Sequence, residues 1–391
     1  MYQILVVDDD PITQLLLKRV LEKQAYQVAV ASNGALGLAL AQQLQPALII
    51  CDWMMPGLSG IEVCRQLKAN LHLSATFFIL LTSRGDLDDR IRGLNAGADE
   101  FLSKPIDMNE LKARVRAGLR LYQLNRDLQT QKQLLETELS EAAAYVCSIL
   151  PAPTQAPISI QWQFIPSRFL GGDIFDYYWM NSDTLVMYLL DVAGHGLGAA
   201  LPSVSVLNLL RSRSLSQVNY EAPDEVLSAL NGLFQMAQHH ERYFTIWYGI
   251  YHHPTRELVY ASAGHPPAIL LPPLEQTRNI QLLRTAGIPI GLFPESTYTS
   301  NQVVIEPGSI LYIFSDGVYE ILLDDTNIWG IESFSEVLDQ AHANGKDDVT
   351  FITEQVTAAC HRQSFDDDFS LLKFAFVSPP PQPSVGSNTK S

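Results

Sequence analysis

Short apolar runs alternate with amphipathic stretches over the first 120 residues, and this pattern predicts strands separated by helices. The apolar runs are Ile4–Val7, Gln27–Ala31, Ala47–Cys51, Phe77–Leu81 and Glu100–Leu102. Helix-length segments follow them at 11–24, 34–44, 58–69, 86–96 and 107–120. The alternation predicts an α/β domain over residues 1–120 with a doubly wound, five-stranded parallel sheet. Its functional crevice is expected at the carboxyl ends of the strands.

Residues 113–150 contain no proline and are rich in Leu, Gln, Glu and Ala, which predicts a long helix. Apolar residues recur at three- and four-residue spacing at positions 121, 124, 128, 135, 139, 142, 146 and 149. Two interpretations stay open: an amphipathic helix packed on its own domain, or a dimeric coiled-coil linker over 121–150. The length of the apolar seam favours the coiled coil, and with it a homodimer. Pro151 and Pro153 end the helix.

Residues 158–377 are richer in β-type patterns than in helical ones. Strand-like runs lie at 158–165, 184–191, 244–251, 257–262, 299–305, 309–315 and 369–377, and helical segments at 197–213, 223–238, 331–341 and 347–362. Hairpin-like spacing predicts antiparallel sheets flanked by helices, an α+β β-sandwich that occupies a domain over 151–377. The Pro-rich tail 378–391 is expected to be disordered.

Composition and charge limit the classes of partner. Hydrophobic residues make up 47% of the chain and charged residues 17%, an ordinary globular balance. The net charge is −16, and residues 151–391 hold 11 Lys/Arg against 25 Asp/Glu, a net charge of −14. We expect no nucleic acid as a direct ligand, because phosphate backbones need a basic surface.

Cysteine spacing and apolar run length bear on the compartment. The four cysteines are Cys51, Cys64, Cys147 and Cys360. Their spacing matches no metal or redox motif, which favours a reducing compartment. The first apolar run reaches Asp8 too soon for a signal peptide, and no run approaches membrane-spanning length. We therefore expect a cytoplasmic protein with no membrane contact.

Acidic residues follow two of the predicted strands in the first domain. Asp8 and Asp9 come directly after the first strand, and Asp52 comes after the third. Carboxylates at one sheet edge can share a hard cation such as Mg²⁺, and one of them can attack a phosphoryl group to form an aspartyl phosphate. We expect Asp52 to be the nucleophile and Asp8 and Asp9 to bind the metal. Thr82 and Lys104 are positioned to contact the phosphoryl oxygens.

Four segments carry this pattern in order: Leu5–Asp10, Asp52–Gly57, Leu81–Ser83 and Phe101–Pro105. Together they resemble the receiver domain of two-component response regulators. The resemblance implies that a histidine kinase phosphorylates Asp52 and that the backbone carbonyl of Met54 completes the Mg²⁺ shell. It also implies that Thr82 and Phe101 are switch residues that move when Asp52 is phosphorylated.

A second set of acidic residues is spread over the second domain, and it predicts another metal site. The set comprises Asp173, Asp191, Asp316 and the run Asp366–Asp368. Four separated aspartates can hold two Mg²⁺ or Mn²⁺ ions, both of which prefer oxygen ligands. Such a pair lowers the pKa of a water and directs it at a phosphorus atom, so that no Ser or Cys nucleophile is needed. Nearby glycines suit tight turns close to the ions.

The motifs around these acids occur in a fixed order along the second domain. They are Gly171–Asp176, Asp191–Gly196, Ala263–Pro267, Gly287–Gly291, Phe314–Val318 and Asp367–Ser370. They are similar to those of metal-dependent PPM (PP2C-like) Ser/Thr phosphatases, in the SpoIIE/RsbU-like bacterial branch. The resemblance implies that Asp191 bridges two metals. It gives Asp173 and the Val192 carbonyl to one ion, and Asp316 and Asp367 to the other.

Several neighbouring residues have competing interpretations. Ser167 and Ser370 replace the family's more usual Ala and Thr, and neither change removes a ligand. His195 and His265 lie among Gly and Pro, which favours turn-stabilising roles over metal binding at a site for hard cations. Asp176 is expected to support the ligands rather than to bind metal. Within the run 366–368, Asp367 is the chosen ligand.

Together the two domains predict a phosphorylation-regulated, metal-dependent protein serine/threonine phosphatase. By family resemblance its substrate is a phosphorylated STAS-domain protein, an anti-sigma factor antagonist. The alternative is a non-catalytic adaptor that binds a partner through a PPM-like domain. Loss of the metal carboxylates would mark such an adaptor, and all four are present. Whether phosphorylation of Asp52 activates or inhibits stays open.

Overall fold

The computed structural model divides the chain into two compact units, Met1–Thr137 and Glu138–Ser391. It describes residues 2–83, 87–167, 170–236, 242–274, 280–323, 327–346, 348–360, 365 and 367–376, without the side chains of 87–90 and 360. The tail 378–391, predicted to be disordered, and Asp366 lie outside these residues. Among the described helices, none is both long enough and apolar enough to cross a bilayer.

The first unit alternates strands and helices along the chain. Its elements are β1 (Gln3–Val7), α1 (Pro11–Glu22), β2 (Gln27–Ala31), α2 (Gly34–Leu44), β3 (Leu48–Asp52), α3 (Gly60–Lys68), β4 (Phe77–Thr82), α4 (Leu87–Asn95), β5 (Glu100–Ser103) and α5 (Met108–Ile149). Within the described residues the strands form one five-stranded sheet in the order β2-β1-β3-β4-β5. All of its strand pairs are parallel. The predicted doubly wound α/β fold is confirmed.

The central strands of this sheet are buried on both faces, which explains why their sequences are continuously apolar. Leu5 and Val7 of β1 belong to one core, while Ile4 and Val6 belong to the other. Because alternate side chains enter opposite cores, polar side chains are accommodated only where a strand ends. Asp52 is the last residue of β3 and is placed in this way.

The residue after the acidic pair, Asp10, is used to start a helix. Its carboxylate accepts hydrogen bonds from the backbone N–H groups of Ile12 and Thr13, both at 3.1 Å. Pro11 occupies the first turn of α1, where its missing N–H costs nothing. Asp10 is therefore an N-cap, although it is the third acid of the run that begins at Asp8.

Helix α5 is 42 residues long and runs without interruption through the predicted boundary at residues 120 and 121. Its first turns pack against the sheet through Leu111, Val115 and Leu119, which are buried. Further along, apolar side chains point to solvent. Five such leucines are more than half exposed: Leu121, Leu124, Leu128, Leu134 and Leu135. The predicted long helix is present, and the coiled coil stays a prediction.

The second unit is mostly antiparallel β-structure with four helices in the described residues. Its elements are β6 (Ser159–Ile165), β7 (Asp173–Trp179), β8 (Thr184–Val192), α6 (Leu197–Arg211), α7 (Pro223–Leu233), β9 (Phe244–His252), β10 (Glu257–Ala263), β11 (Ala268–Leu271), β12 (Gln281–Leu283), β13 (Asn301–Val304), β14 (Ile310–Phe314), α8 (Gly330–Ala343), α9 (Val349–Cys360) and β15 (Phe369–Ala375). Two five-stranded sheets are formed by these strands, in the orders β13-β10-β9-β8-β7 and β12-β11-β14-β15-β6.

Three apolar layers hold this unit together. The central layer lies between the two sheets and contains Trp247 of one sheet and Phe374 of the other, both fully buried. Helices α6 and α7 cover the outer face of the first sheet, and α8 and α9 cover that of the second. The predicted α+β sandwich flanked by helices is confirmed.

Strands β7, β11 and β12 were not predicted from the sequence pattern. Strand β7 begins with Asp173 and carries Asp176 in its interior, and both carboxylates are buried. Buried acids disturb the alternation that identifies a strand. Strands β11 and β12 contain only four and three residues, which is too short for a periodic signal.

His265 lies in the turn between β10 and β11 and is only 6% exposed. Its Nδ1 atom lies 2.8 Å from the Thr245 hydroxyl oxygen on β9. Burial disfavours the imidazolium and lowers the pKa of His265 to about 3 from an ordinary value of 6.5. The side chain is therefore neutral in the folded protein and ties the turn to β9, as expected for a turn-stabilising residue.

Stability should depend on pH through this histidine. The pKa of His265 is lower in the folded state, so its contribution to stability is complete above pH 6.5 and is lost as the pH falls towards 3. Between pH 7.5 and 5.5, the free energy of unfolding should fall by about 1.4 kcal/mol more in the wild type than in His265→Gln. Urea titrations followed by tryptophan fluorescence at the two pH values measure this difference. His253→Gln is the control, because His253 is exposed. Equal pH dependence in wild type and His265→Gln would contradict the assignment.

Candidate functional site

Three carboxylates converge at the carboxyl edge of the parallel sheet in the first unit. Asp8 and Asp9 directly follow β1, and Asp52 ends β3, which pairs with β1. Asp8, Asp9 and Asp52 can each present an oxygen within 4.8 Å of the others. Asp8 and Asp52 are buried and Asp9 is exposed, so a cation bound between them would also contact solvent. This donor set fits Mg²⁺, a cation that binds oxygen ligands and retains waters.

Lys104 supplies positive charge to this cluster. Its Nζ atom lies 2.8 Å from Asp52 Oδ1 and 3.1 Å from Asp8 Oδ2. Burial raises the pKa of Asp52 despite the lysine. Burial alone would lower the pKa of Lys104, but its hydrogen bonds to Asp52 and Asp8 outweigh that effect and raise it. One lysine thus offsets only part of the negative charge of the three carboxylates, and the remaining charge would favour a bound cation.

The other residues predicted for this site lie around it. Thr82 ends β4 and is buried, and its carbonyl accepts a hydrogen bond from the Lys104 backbone N–H at 2.8 Å. The Met54 side chain is 61% exposed in the loop after Asp52. Phe101 is partly buried, and its ring lies so close to Gly93 that an added Cβ there would be 2.6 Å from it. Phe101 therefore occupies an inward position in this structure.

In the second unit the acids are brought together by strand pairing and by two loops. Asp173 of β7 lies directly opposite Asp191 of β8 in the antiparallel register. Asp316 begins a short 3-10 helix after β14, and Asp367 precedes β15, which pairs with β14. These elements bound an open cleft of about 360 Å³. Its lining residues are Ser167, Asp191, Ala193, Gly194, His195, Tyr243, Thr245, Asp316 and Asp367.

Crowding of carboxylates dominates the electrostatics of this cleft. Burial, followed by the nearby charges of Asp316, Asp367 and Asp368, raises the pKa of Asp191 well above its ordinary value. Burial and then Asp367 raise the pKa of Asp316 to about 6. Such a set of oxygens with excess negative charge fits divalent cations.

The two carboxylate oxygens of Asp173 have different environments. Its Oδ2 atom accepts a hydrogen bond from the Ser370 hydroxyl at 2.6 Å. Its Oδ1 atom is buried and has no hydrogen-bond partner among the described residues. A buried carboxylate oxygen without a donor is costly, and a bound cation would satisfy it. Asp173 is not among the residues that line the open cleft, although it pairs with Asp191 in the strand register.

Asp367 and Asp368 have different environments. The Asp368 carboxylate accepts hydrogen bonds from the backbone N–H groups of Ser167 at 2.9 Å and Gly172 at 2.7 Å. A Cβ added to Gly171 would lie 1.8 Å from the same carboxylate, so only glycine fits there. Asp368 thus holds the loop before Asp173, while Asp367 faces the cleft. Asp366 lies outside the described residues.

The ligand atoms of the second unit are more widely spaced than those of the first. Among the described residues, the cluster of Asp8, Asp9 and Asp52 is the only group of three His, Cys, Asp or Glu side chains whose ligand atoms lie within 4.8 Å of one another. A two-ion site differs in this respect, because its carboxylates are distributed around two centres. The assignment of Asp173, Asp191, Asp316 and Asp367 to two ions stays a prediction.

The two histidines of the glycine-containing motifs are placed differently. His265 is buried behind the cleft, whereas His195 is exposed and lines it. Asp176 does not line the cleft and forms an ion pair with Arg211 at 2.7 Å. Sequence reasoning missed Arg211, as well as Arg242, which contacts the loop after Asp191. Neither arginine lies in a recognisable motif, so only the fold associates them with the site.

Comparisons with known proteins agree with these two sites. The sequence model for the response regulator receiver domain matches residues 4–116. The model for stage II sporulation protein E (SpoIIE) matches residues 181–377, which is half of the chain.

Two curated relatives each match less than a third of this chain. The DNA-binding dual master transcriptional regulator RpaA of Synechocystis is 43% identical over 120 residues, covering 31% of this chain and 50% of RpaA. The DNA-binding response regulator MtrA of Mycolicibacterium smegmatis is 42% identical over 118 residues, covering 30% of this chain and 50% of MtrA. This chain thus spans about half the length of the curated relatives it matches.

Among solved structures, the second unit is similar to the SiaA-PP2C domain of Pseudomonas aeruginosa. The TM-score is 0.54 at 19% identity, and the match covers 63% of this chain and 98% of that domain. At this identity the similarity establishes the fold alone. Together with the match to half of the chain, these findings show that the protein belongs to the SpoIIE family and joins a response-regulator receiver domain to a PP2C-like domain of the PPM phosphatase family.

Proposed function

We propose that this protein is a response regulator whose output is metal-dependent hydrolysis of phosphoserine or phosphothreonine in a partner protein. The observation that carries the proposal is the cleft in which Asp191, Asp316 and Asp367 crowd together with raised pKa values. The residues support phosphoester hydrolysis. The protein substrate, a phosphorylated STAS-domain antagonist of an anti-sigma factor, rests on the family resemblance.

In the phosphatase site we assign the ligands of two Mg²⁺ or Mn²⁺ ions. Asp191 would serve both ions, Asp173 and the Val192 carbonyl would hold one, and Asp316 and Asp367 would hold the other. When bound, the ions neutralise the phosphate charge and make a water more acidic. The protein keeps these carboxylates in place through buried hydrogen bonds, such as that of the Ser370 hydroxyl to Asp173.

In the receiver we assign Asp52 as the acceptor of a phosphoryl group from a histidine kinase. Asp8, Asp9, Asp52 and the Met54 carbonyl would hold Mg²⁺. Lys104 already contacts Asp52 and can remain paired with a phosphoryl oxygen there. Thr82 and Phe101 are the proposed switch residues, as the receiver resemblance implies. We expect the phosphoryl transfer to Asp52 to take place in the cytoplasm.

The connection between the two activities is proposed to run along α5. We assign residues 1–120 to the receiver, 121–150 to a coiled-coil linker and 151–377 to the phosphatase. The exposed leucines of α5 would pack against those of a second copy and form a homodimer. Two helices in register can pass on a change at the receiver as a change in supercoil or in rotation.

Arg211 offers a contact through which the end of α5 can affect the cleft. Its Nη2 atom donates to the carbonyl of Ile149, the last residue of α5, at 2.9 Å. Its Nε atom donates to Asp176 Oδ2 at 2.7 Å. Asp176 lies on β7 three residues after Asp173, and Arg211 ends the helix that starts just after His195. A movement of the end of α5 would therefore displace Arg211, and through it both α6 and β7, which lie on either side of the Asp191 loop in the chain or in the sheet.

Phosphatase activity is tested directly with the full chain. Hydrolysis of p-nitrophenyl phosphate should require Mg²⁺ or Mn²⁺, stop with a chelator and return when metal is added. Asp191→Asn and Asp316→Asn should each lower kcat/KM by more than about 100-fold, because each removes a ligand. Asp183→Asn is the matched control, since Asp183 is exposed and distant from the lining residues. No metal-dependent activity in the wild type, or full activity in Asp191→Asn, would favour the non-catalytic adaptor.

Regulation is tested by comparing full chains with Asp52 phosphorylated and unphosphorylated, against a phosphorylated STAS-domain protein. Arg211→Lys keeps a cation near Asp176 but lacks the planar fork that reaches two acceptors at once. We expect it to fold and to retain basal activity, while the effect of Asp52 phosphorylation shrinks to less than about twofold. Arg213→Lys, at an exposed arginine two residues further on, is the control. Unchanged regulation in Arg211→Lys would contradict this path.

Dimerisation is tested by sedimentation of the full chain at micromolar concentration. The wild type should be a dimer, and Leu124→Glu and Leu128→Glu should shift it to a monomer, because a charge at the centre of a coiled-coil seam is destabilising. Leu71→Glu is the control, since Leu71 is 92% exposed and lies outside α5. A monomeric wild type, with and without phosphorylation, would rule out the dimer.

A further inference from the structure

The guanidinium of Arg242 lies against the loop that connects β8 to α6. Its Nη1 atom donates a hydrogen bond to the Ala193 carbonyl at 2.9 Å. Ala193, Gly194 and His195 of that loop line the cleft, and so does Tyr243, the neighbour of Arg242. Arg242 is not itself among the lining residues, but it contacts one of them, Ala193, and precedes another, Tyr243, in the chain.

Two glycines make room for this side chain. A Cβ added at Gly194 would lie 2.9 Å from Nη1, and one added at Gly198 would lie 2.5 Å from Nη2. Gly194 has a φ of +99°, so its backbone already favours glycine. Gly198 lies inside α6, where glycine is less favourable than alanine. The contact with Arg242 gives a physical reason for glycine at position 198.

Arg242 uses few of its donors within the described residues. A guanidinium has five N–H donors, and within the described residues the one hydrogen bond from Arg242 is that to Ala193. None of the ion pairs between described residues includes Arg242. It is a cation beside an acidic cleft with donors still available.

A phosphate monoester needs such a cation. Its dianion must approach Asp191, Asp316 and Asp367, and the described lining residues include no lysine or arginine. The planar fork of arginine matches the geometry of phosphate oxygens and would supplement whatever metal ions the carboxylates hold. We propose that Arg242 binds a non-bridging oxygen of the substrate phosphate and sets the preference of this site for dianionic monoesters. This inference rests on the proposed phosphatase activity.

The test uses full-length Arg242→Gln and Arg242→Lys, with Arg284→Gln as an exposed-arginine control. The probes are p-nitrophenyl phosphate, the diester bis(p-nitrophenyl) phosphate, and inorganic phosphate as an inhibitor. In Arg242→Gln, KM for the monoester and the inhibition constant of phosphate should rise about 10- to 100-fold. The diester should be affected less than about threefold, and Arg242→Lys should be intermediate. Mn²⁺ affinity measured by calorimetry should not change.

Other outcomes separate this inference from its alternatives. If wild-type protein hydrolyses neither ester, the proposed function itself fails. If the wild type is active and Arg242→Gln loses monoester hydrolysis, diester hydrolysis and Mn²⁺ affinity together, Arg242 only positions the loop and the inference is overturned. It is also overturned if Arg242→Gln affects phosphoserine peptides with acidic neighbours but not p-nitrophenyl phosphate. Phosphate affinity that depends on Arg168, outside the described residues, and not on Arg242 would overturn it as well.

Circular dichroism of each variant checks folding, and Arg242→Lys supplies a second test if Arg242→Gln does not fold.

Discussion

The close packing of carboxylates at the ends of buried strands is the constraint on which both units depend. Asp8 and Asp52 meet at the edge of one sheet, and Asp173 lies opposite Asp191 in another. In these buried or partly buried positions, burial and like charges raise the pKa values of Asp52, Asp173 and Asp191. An arrangement of this kind persists only if the surrounding backbone holds it and if cations offset its charge.

The two units meet this constraint with different neighbours. In the receiver, Lys104 contacts two of the acids directly, so that one carboxylate can act as an acceptor with its partner charge in place. The cleft of the second unit has no such lysine among its described lining residues, and Asp368 and Ser370 hold the loop and the acids through hydrogen bonds. In the proposed function, the first arrangement retains a phosphoryl group as a signal and the second removes one.

Sequence patterns were sufficient for much of the fold because all three described sheets have buried central strands with long apolar runs. The receiver strands and the four helices of the second unit lie close to where periodicity placed them. Strand β7 was missed because its buried Asp173 and Asp176 interrupt the apolar pattern, although the motif around Asp173 had been recognised. The predicted helices at 107–120 and 113–150 form one continuous helix, α5, and helical periodicity does not change at the proposed boundary after residue 120.

The sequence by itself determined the two fold classes and the order of the domains, and it identified the candidate acids of each site, since strand ends and glycine turns leave local patterns. Tertiary structure decided how individual side chains are used. It made Asp10 a helix cap, assigned Asp368 to the backbone N–H groups of Ser167 and Gly172, and separated buried His265 from exposed His195. It also brought Arg211 to the end of α5 and Arg242 to the loop after Asp191. Such contacts join residues far apart in the chain, and no local pattern records them.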